Sequence, residues 1–315
     1  MVTASPGKTR PLAAQETKPL HNRQYKLIAF LFLLPSTAIF LIFVIYPIFH
    51  SIYYSLFNWN GLGPAVDYVG LNNYKRILTD HVFHIAVRNN LIIVVLSLVL
   101  QLPLALGLAI LVGRDLPGKA FFRSIFFMPY VFSEVIAAIM WLQLFNPDPD
   151  RGLINALLIL IPGVKPFPWL ADTRTVLPCI FIVLTWKYFG FHMLLYVTGL
   201  QNIPAEIEDA ARIDGANRHQ LLFHITIPLL SGTIRTSVYM SVLGSLQQFI
   251  LVWIMTHGGP VNASEVMSTY MYRFGFVRFY LGYGSAVAIV MFLICLAFSL
   301  AYQRLTPQQD YLGGI

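Results

Sequence analysis

Six long apolar stretches, separated by polar ones, constrain this chain more than any other feature. Their bounds are about residues 27–49, 91–112, 125–145, 176–197, 237–255 and 283–302. A helix needs about 20 apolar residues to cross the hydrocarbon core of a bilayer, and a helix satisfies its own backbone polar groups there. We therefore predict an all-α, polytopic membrane protein with six transmembrane helices.

Composition agrees with a membrane protein and argues against several other classes. Hydrophobic residues make up 57% of the chain, and the mean hydropathy is +0.66. The net charge of +7 comes with no basic stripe or aromatic reading surface, so we expect no nucleic-acid partner. Cys179 and Cys295 both lie in apolar stretches, which supports neither a disulfide framework nor a metal site.

Residues 1–26 are polar, and we predict a disordered cytoplasmic tail there, followed by a membrane domain at 27–305 and a second cytoplasmic tail at 306–315. The side that holds the N-terminus carries twelve Lys and Arg residues, and the opposite side carries eight. Because cytoplasmic loops are enriched in these residues, both termini and the polar loop at 202–230 are predicted to be cytoplasmic.

The polar loop at 202–230 begins with helix signals. Pro204 suits a first helical position, and Glu206, Glu208 and Asp209 follow in the first turns. Carboxylates there complement the positive end of the helix dipole. We predict that a short helix begins at this proline.

The second half of the loop carries a stop signal and a restart signal. Asp214 and Gly215 are expected to end the first helix, since glycine adopts a left-handed conformation at little cost. Asn217 and Gln220 have the spacing of a capping box that starts a second helix. Pro228 is expected to end that helix.

The same loop resembles a known motif. It is similar to the "EAA" loop of membrane subunits in binding-protein-dependent ABC importers, and most similar to the carbohydrate branch, the maltose-transporter type. One departure is that an aspartate replaces the signature glutamate. The residues that carry the resemblance, and to which it assigns coupling to an ATPase, are Glu206, Asp209, Ala210, Ala211, Asp214, Gly215, Ala216, Ile225 and Pro228.

The resemblance implies a permease subunit with the type I ABC importer fold and a cytoplasmic coupling helix. Such a subunit translocates a sugar or short oligosaccharide across the cytoplasmic membrane. The implied partners are a second homologous permease, a cytoplasmic ABC ATPase dimer and an extracytoplasmic sugar-binding protein. This chain has no Walker motif, so we expect no cofactor in it, with ATP and magnesium on the ATPase.

Three outer loops, which contain residues 69–74, 146–169 and 256–260, are also similar to loops of this family, in which they receive the loaded binding protein. Simple turn chemistry is the alternative, since glycine and proline punctuate any loop. For residues 258–260 alone it explains the sequence equally well, but the combination with the polar loop favours the family resemblance.

Polar side chains in the fifth apolar stretch fall on one helical face. Ser237, Ser241, Ser245 and Gln248 are separated by four, four and three residues, with Gln247 beside them. Hydroxyl and amide groups both donate and accept hydrogen bonds, which suits sugar hydroxyls. We predict that Ser241, Ser245, Gln247 and Gln248 line the substrate pathway. Helix packing is the alternative for the serines.

A second face, on the fourth stretch, holds Tyr188, His192 and Tyr196 at intervals of four residues. Aromatic rings stack on the apolar side of sugars. In the importer family that the polar loop resembles, the corresponding helix lines the substrate pathway. We place Tyr188 and His192 in the pathway, with an aromatic packing stripe as the alternative.

Two charges lie within apolar stretches, Glu134 in the third and Lys187 in the fourth. Because an isolated charge in mid-bilayer is costly, we predict that they pair. The alternative is that either one faces an aqueous cavity and selects the substrate.

Two other functions remain open. Within the same family, the cargo could be glycerol 3-phosphate, which should require cations near the pathway. A stand-alone secondary transporter is the other, and it would leave the polar loop unexplained. We find no nucleophile, metal set or carboxylate pair in the sequence, and therefore predict no enzyme activity.

Overall fold

The structure is a computed structural model that describes residues 22–113 and 118–306, with side chains from residue 29 onward. Most of the two predicted tails lies outside the described residues. The described end of the predicted N-terminal tail is helical, because the first helix begins at Asn22 and not near residue 27. Gln, Arg and Lys favour a helix, so it extends past the apolar stretch.

Residues up to His50 and residues from Ser51 onward form two compact units. The described part of the first unit is helical: α1 (Asn22–Phe40), a π-helical turn (Leu41–Ile45) and the start of α2 (Tyr46–Tyr54).

The second unit is built from helices, and the described residues contain only an isolated β-bridge between Phe57 and Tyr68. Before the polar loop the helices are α3 (Asn72–Thr79), α4 (His81–Leu96), α5 (Leu102–Gly113), α6 (Lys119–Val131), α7 (Glu134–Leu144), α8 (Leu153–Leu158) and α9 (Val176–Gln201). From the loop onward they are α10 (Ala205–Ile213), α11 (Arg218–Gln220), α12 (Ile227–Leu229), α13 (Ser231–Leu246), α14 (Ile250–Thr256), α15 (Met267–Tyr272) and α16 (Leu281–Leu305).

Among the described residues, five helical spans are long and apolar enough to cross a membrane. They are Ala29–Tyr54, His81–Gly113, Val176–Gln201, Ser231–Thr256 and Leu281–Leu305. Helices α6 and α7 lie where the remaining span is predicted, and they meet at 95°, so they make a sixth crossing only if the bent pair is counted as one span.

The predicted span at 125–145 is therefore divided into two helices with a sharp bend between them. Phe132 and Ser133 have extended backbones, with ψ values of 146° and 140°.

Of the four π-helical turns within residues 22–113 and 118–306, three share a position relative to a proline. The turns Leu41–Ile45, Ser97–Gln101 and Leu221–Thr226 each end two residues before Pro47, Pro103 and Pro228, respectively. A proline ring crowds the carbonyl four residues before it and cannot donate to it. Widening the preceding turn relieves this conflict, so the helix passes through the proline. The fourth π turn (Arg273–Val277) is followed by no such proline.

Three apolar clusters hold the second unit together. One joins α7, the first half of α9 and α14; another joins α3, α4, α13, α15 and α16; the third joins α5 to the second half of α9. Helix α6 also packs on α9, where Gly190 faces the backbone carbonyl of Phe126. A Cβ atom at this position would overlap that carbonyl, so glycine permits the close approach.

Asn155, which is fully buried, holds together the segment at 146–169 that precedes α9. Its amide donates to the carbonyls of Asn146 and Phe167, both at 2.9 Å. Its oxygen accepts from the Phe167 N–H at 2.9 Å and from the Trp169 indole at 3.2 Å. One side chain therefore fixes both ends of this segment.

We predict that Asn155→Ala lowers the free energy of unfolding by about 2–4 kcal/mol, because buried groups left without partners cost about 1–3 kcal/mol each. Thermal unfolding of the purified protein measures this. Asn60→Ala is the matched control, since Asn60 is exposed and accepts one turn hydrogen bond, from the Leu62 N–H at 3.0 Å. Equal losses in the two variants would contradict the prediction.

Candidate functional site

A cavity of about 340 Å³ lies within the second unit, and all six residues predicted to line a substrate pathway line it. Helices α4, α6, α7, α9 and α13 form its wall, together with the π turn after α4 and the residues after α13. The predicted residues at the wall are Tyr188, His192, Ser241, Ser245, Gln247 and Gln248. The structure thus brings together two faces that are about 50 residues apart in the sequence.

Gln248 has the most informative surroundings of these six. It lies in the non-helical step between α13 and α14, is 7% exposed, and its amide nitrogen has no hydrogen-bond partner. A buried donor without a partner is costly. At a cavity wall, such a donor is available to a ligand.

The serines at the wall have a packing role as well. The Ser245 hydroxyl lies 3.4 Å from that of Ser97, and the Ser245 carbonyl accepts from the Asn90 amide at 2.7 Å. Asn90 also accepts from the Met267 N–H at 2.9 Å, which links α13 to α15. Ser241 is buried at the wall as well.

The aromatic face of α9 is divided between cavity and core. Tyr188 and His192 line the cavity, whereas Tyr196 is 1% exposed and belongs to the cluster between α5 and α9. His192 is buried, and its Nδ1 atom lies 2.8 Å from the Ser237 hydroxyl. Ser237 holds the histidine in place and does not itself line the cavity.

Several residues of the cavity wall were not predicted from the sequence, namely Ser97, Gln101, Tyr130 and Phe249. Gln101 was detectable, because it is a buried polar residue in the middle of an apolar stretch. The two aromatic residues gave no such signal, since they resemble the lipid-facing residues around them.

Lys187 lies at the break between α6 and α7. The residue is 3% exposed, and its ammonium donates to three backbone carbonyls: Pro129 at 3.1 Å, Tyr130 at 2.8 Å, and Phe132. The extended backbone after α6 leaves these carbonyls without helical donors. Lys187 therefore supplies the hydrogen bonds that the break removes, at the negative end of the α6 dipole.

The predicted ion pair between Glu134 and Lys187 is not formed in the part of the chain that the structure describes. Glu134 accepts a hydrogen bond from the Tyr188 hydroxyl and lines the cavity. The two charges act on each other electrostatically, but the lysine nitrogen is occupied by carbonyls. For Glu134, the structure favours the alternative of a carboxylate that faces the cavity.

The polar loop has the predicted helix–turn–helix form. Pro204 is the N-cap of α10, so the helix begins one residue later than predicted; α10 ends at Ile213, and Asp214 is its C-cap. Gly215 follows with φ of +87°, in the left-handed region. Asn217 and Gln220 form both bonds of the predicted capping box, at 2.9 and 2.8 Å.

The role predicted for Pro228 is wrong, because it does not end the second helix. The chain stays helical from Arg218 to Leu229, and the π turn Leu221–Thr226 accommodates the proline.

Most side chains of the loop are accessible. Arg212 pairs with Glu208 at 3.6 Å and with Asp209 at 3.3 Å, and Ile213 is 86% exposed. The residues assigned to coupling share this exposed or half-buried surface: Glu206, Asp209, Ala210, Ala211, Asp214, Gly215, Ala216, Ile225 and Pro228.

The loop between α14 and α16 has an ion pair with a buried carboxylate, which was not predicted from the sequence. Arg273 lies 2.7 Å from Glu265, and it also donates to the His257 carbonyl and to Asn262 at 3.1 Å. Burial raises the pKa of the Glu265 carboxyl, while Arg273 acts in the opposite direction. This network fixes the Gly258–Pro260 turn, whose Gly259–Pro260 bond is cis.

Residues 101–311, about two thirds of the chain, match the family model described as "Binding-protein-dependent transport system inner membrane component". The chain belongs to this family. The resemblance predicted from the polar loop is thereby confirmed, and so is the fold class of an all-helical importer permease.

Two relatives cover nearly all of this permease. The probable ABC transporter permease YurN of Bacillus subtilis is 39% identical over 285 residues, which cover 89% of this chain and 96% of the relative. The trehalose/maltose transport system permease MalF of Thermococcus litoralis is 30% identical over 288 residues, which cover 91% and 96%.

A solved structure shares the fold. It is the bacterial alginate ABC transporter in complex with an alginate pentasaccharide-bound periplasmic protein. One of its chains matches with a TM-score of 0.79 and 23% identity, over 90% of this permease and 95% of that chain.

We predict that exchanging the two charges will not rescue the permease. Lys187→Glu should lower the free energy of unfolding by at least about 3 kcal/mol, because several carbonyls lose their donors at about 1–3 kcal/mol each. Glu134→Lys combined with Lys187→Glu should be no more stable, since a glutamate cannot donate to carbonyls. Thermal unfolding measures both.

Lys165→Glu is the control, because Lys165 is an exposed lysine of an outer loop. Recovery of stability in the double variant would contradict this prediction and support a direct ion pair between Glu134 and Lys187.

Proposed function

We propose that this permease translocates a sugar or short oligosaccharide across the cytoplasmic membrane, coupled to ATP hydrolysis by a separate ATPase subunit. The observation that carries the proposal is the cavity, which holds the unpartnered amide of Gln248 beside serine hydroxyls and aromatic rings. The trehalose/maltose relative and the alginate transporter support the same class of cargo.

The wall of the cavity suits a saccharide. The Gln248 amide and the Ser241 hydroxyl offer donors and acceptors for sugar hydroxyls. Tyr130, Tyr188 and Phe249 supply aromatic surface for the apolar face of a sugar ring. A volume of about 340 Å³ falls within the range of small-molecule pockets.

The polar loop is the proposed docking site for the ATPase. Its exposed Ile213 and carboxylates give a partner both apolar and charged contacts. The proposed complex contains a second homologous permease, an ATPase dimer with ATP and magnesium, and an extracytoplasmic sugar-binding protein. Both termini of this chain are proposed to lie in the cytoplasm, and the chain itself catalyses no reaction.

A glycerol 3-phosphate cargo is disfavoured. The described residues that line the cavity include Glu134 but no lysine or arginine, whereas a phosphate would need cationic partners. A stand-alone secondary transporter is disfavoured by the family of the chain.

The proposal is tested by ATP hydrolysis of the complete complex in proteoliposomes, with binding protein loaded from a panel of saccharides and glycerol 3-phosphate. We expect one saccharide to stimulate hydrolysis and glycerol 3-phosphate to have no effect. The proposal fails if no saccharide stimulates hydrolysis, or if no ATPase associates with the permease.

In the same assay, Gln248→Leu should weaken the apparent affinity for the stimulating saccharide roughly three- to tenfold, because one hydrogen bond is lost. Gln143→Leu is the control, since Gln143 is exposed on α7 and does not line the cavity.

We predict that Gly215→Val uncouples ATP hydrolysis from uptake. A Cβ atom at Gly215 meets no atom within 4 Å, so the effect comes from the φ of +87°, where a β-branched residue is strained. Uptake should fall at least about tenfold while ATP hydrolysis persists, since such strain costs about 1–3 kcal/mol and reshapes the loop.

Gly63→Val carries similar backbone strain, with φ of +66° and open space, in the first outer loop, and should retain uptake. Normal uptake by Gly215→Val would refute the role of the loop.

A further inference from the structure

Glu134 is the only Asp, Glu, Lys or Arg among the described residues that line the cavity. It is the first residue of α7, and it reaches the wall because α6 and α7 meet at 95° just before it. The break in the span therefore gives the cavity its single formal charge.

The carboxylate is held by neighbours that leave part of it free. One oxygen, Oε1, accepts from the Tyr188 hydroxyl, and the other receives no hydrogen bond from any residue that the structure describes. The N–H groups at the start of α7 favour a negative charge at this position. Lys187 adds attraction from behind the wall, but does not neutralise the carboxylate in an ion pair.

No cationic group at the cavity compensates this charge within the described chain. Lys187 does not line the cavity, and its hydrogen bonds are made to carbonyls. His192 is buried, and its ring bonds to the Ser237 hydroxyl. An anionic group in the cavity would face this carboxylate with no lysine or arginine among the described lining residues to bind it, whereas a hydroxyl or an ammonium could donate to Oε2.

We propose that Glu134 determines the charge class of the cargo, so that the cavity accepts neutral or amino-bearing saccharides and rejects uronates and sugar phosphates. This rests on the proposed function, because it specifies the saccharide that the cavity takes. Glu134 acts by direct contact with the saccharide, with Tyr188 fixing its orientation.

Glu134→Gln tests this in the complete complex, because glutamine removes the charge and keeps an acceptor for Tyr188. The probes are three disaccharides: N,N′-diacetylchitobiose, which is neutral; chitobiose with protonated amines; and digalacturonate. The measured quantity is the concentration of each that gives half-maximal thermal stabilisation of the complex, without binding protein.

We expect wild type to bind digalacturonate at least about tenfold more weakly than N,N′-diacetylchitobiose, and Glu134→Gln to reduce this gap roughly tenfold, because like charges at a binding site are strongly discriminating. Wild type should bind protonated chitobiose more tightly than N,N′-diacetylchitobiose, and this difference should disappear in Glu134→Gln. Glu134→Asp, which keeps the charge, should retain the gap, as should Asp150→Asn, which removes an exposed carboxylate of an outer loop.

The inference is overturned if Glu134→Gln keeps the wild-type gap, or if wild type binds digalacturonate as tightly as the neutral disaccharide. Failure of the proposed function is recognised separately, as the absence of any saccharide-stimulated ATP hydrolysis in the wild-type complex.

Discussion

The need to satisfy backbone hydrogen bonds without water is the constraint on which the rest of this structure depends. A broken helix in a bilayer exposes carbonyls that lipid cannot hydrate. Lys187 donates to three of them, and so permits the 95° break between α6 and α7. The break in turn directs Glu134 to the cavity. Lys187, which stabilises the break, thus determines where Glu134 can contact a ligand.

The prolines follow the same logic. Pro103 would leave a carbonyl unpaired in an ordinary helix, and the π turn Ser97–Gln101 absorbs this conflict. The widened turn also presents Ser97 and Gln101 to the cavity. In this span, the backbone irregularity therefore coincides with two polar side chains of the cavity wall.

The sequence predicted the parts of the structure that depend on periodicity and local chemistry. Serines four residues apart share a face of α13, and Asn217 caps a helix, because both effects act within a few residues. It did not predict the break at Phe132 or the partners of Lys187. Backbone carbonyls are present at every position, so a side chain that binds them leaves no pairing signal. The position of Lys187 within an apolar stretch could be predicted from the sequence, but its hydrogen-bond partners could not.

The cavity and the polar loop are connected by two helices. Helix α9 carries Tyr188 and ends at Gln201, three residues before the N-cap of α10. Only Leu230 separates α12 from α13, which carries Ser241. At 1.5 Å per residue, the loop ends lie about 20 Å from Tyr188 and about 15 Å from Ser241 along these helices. Because helices are stiff over such lengths, we expect a displacement of the loop to move both walls of the cavity without a separate signalling element.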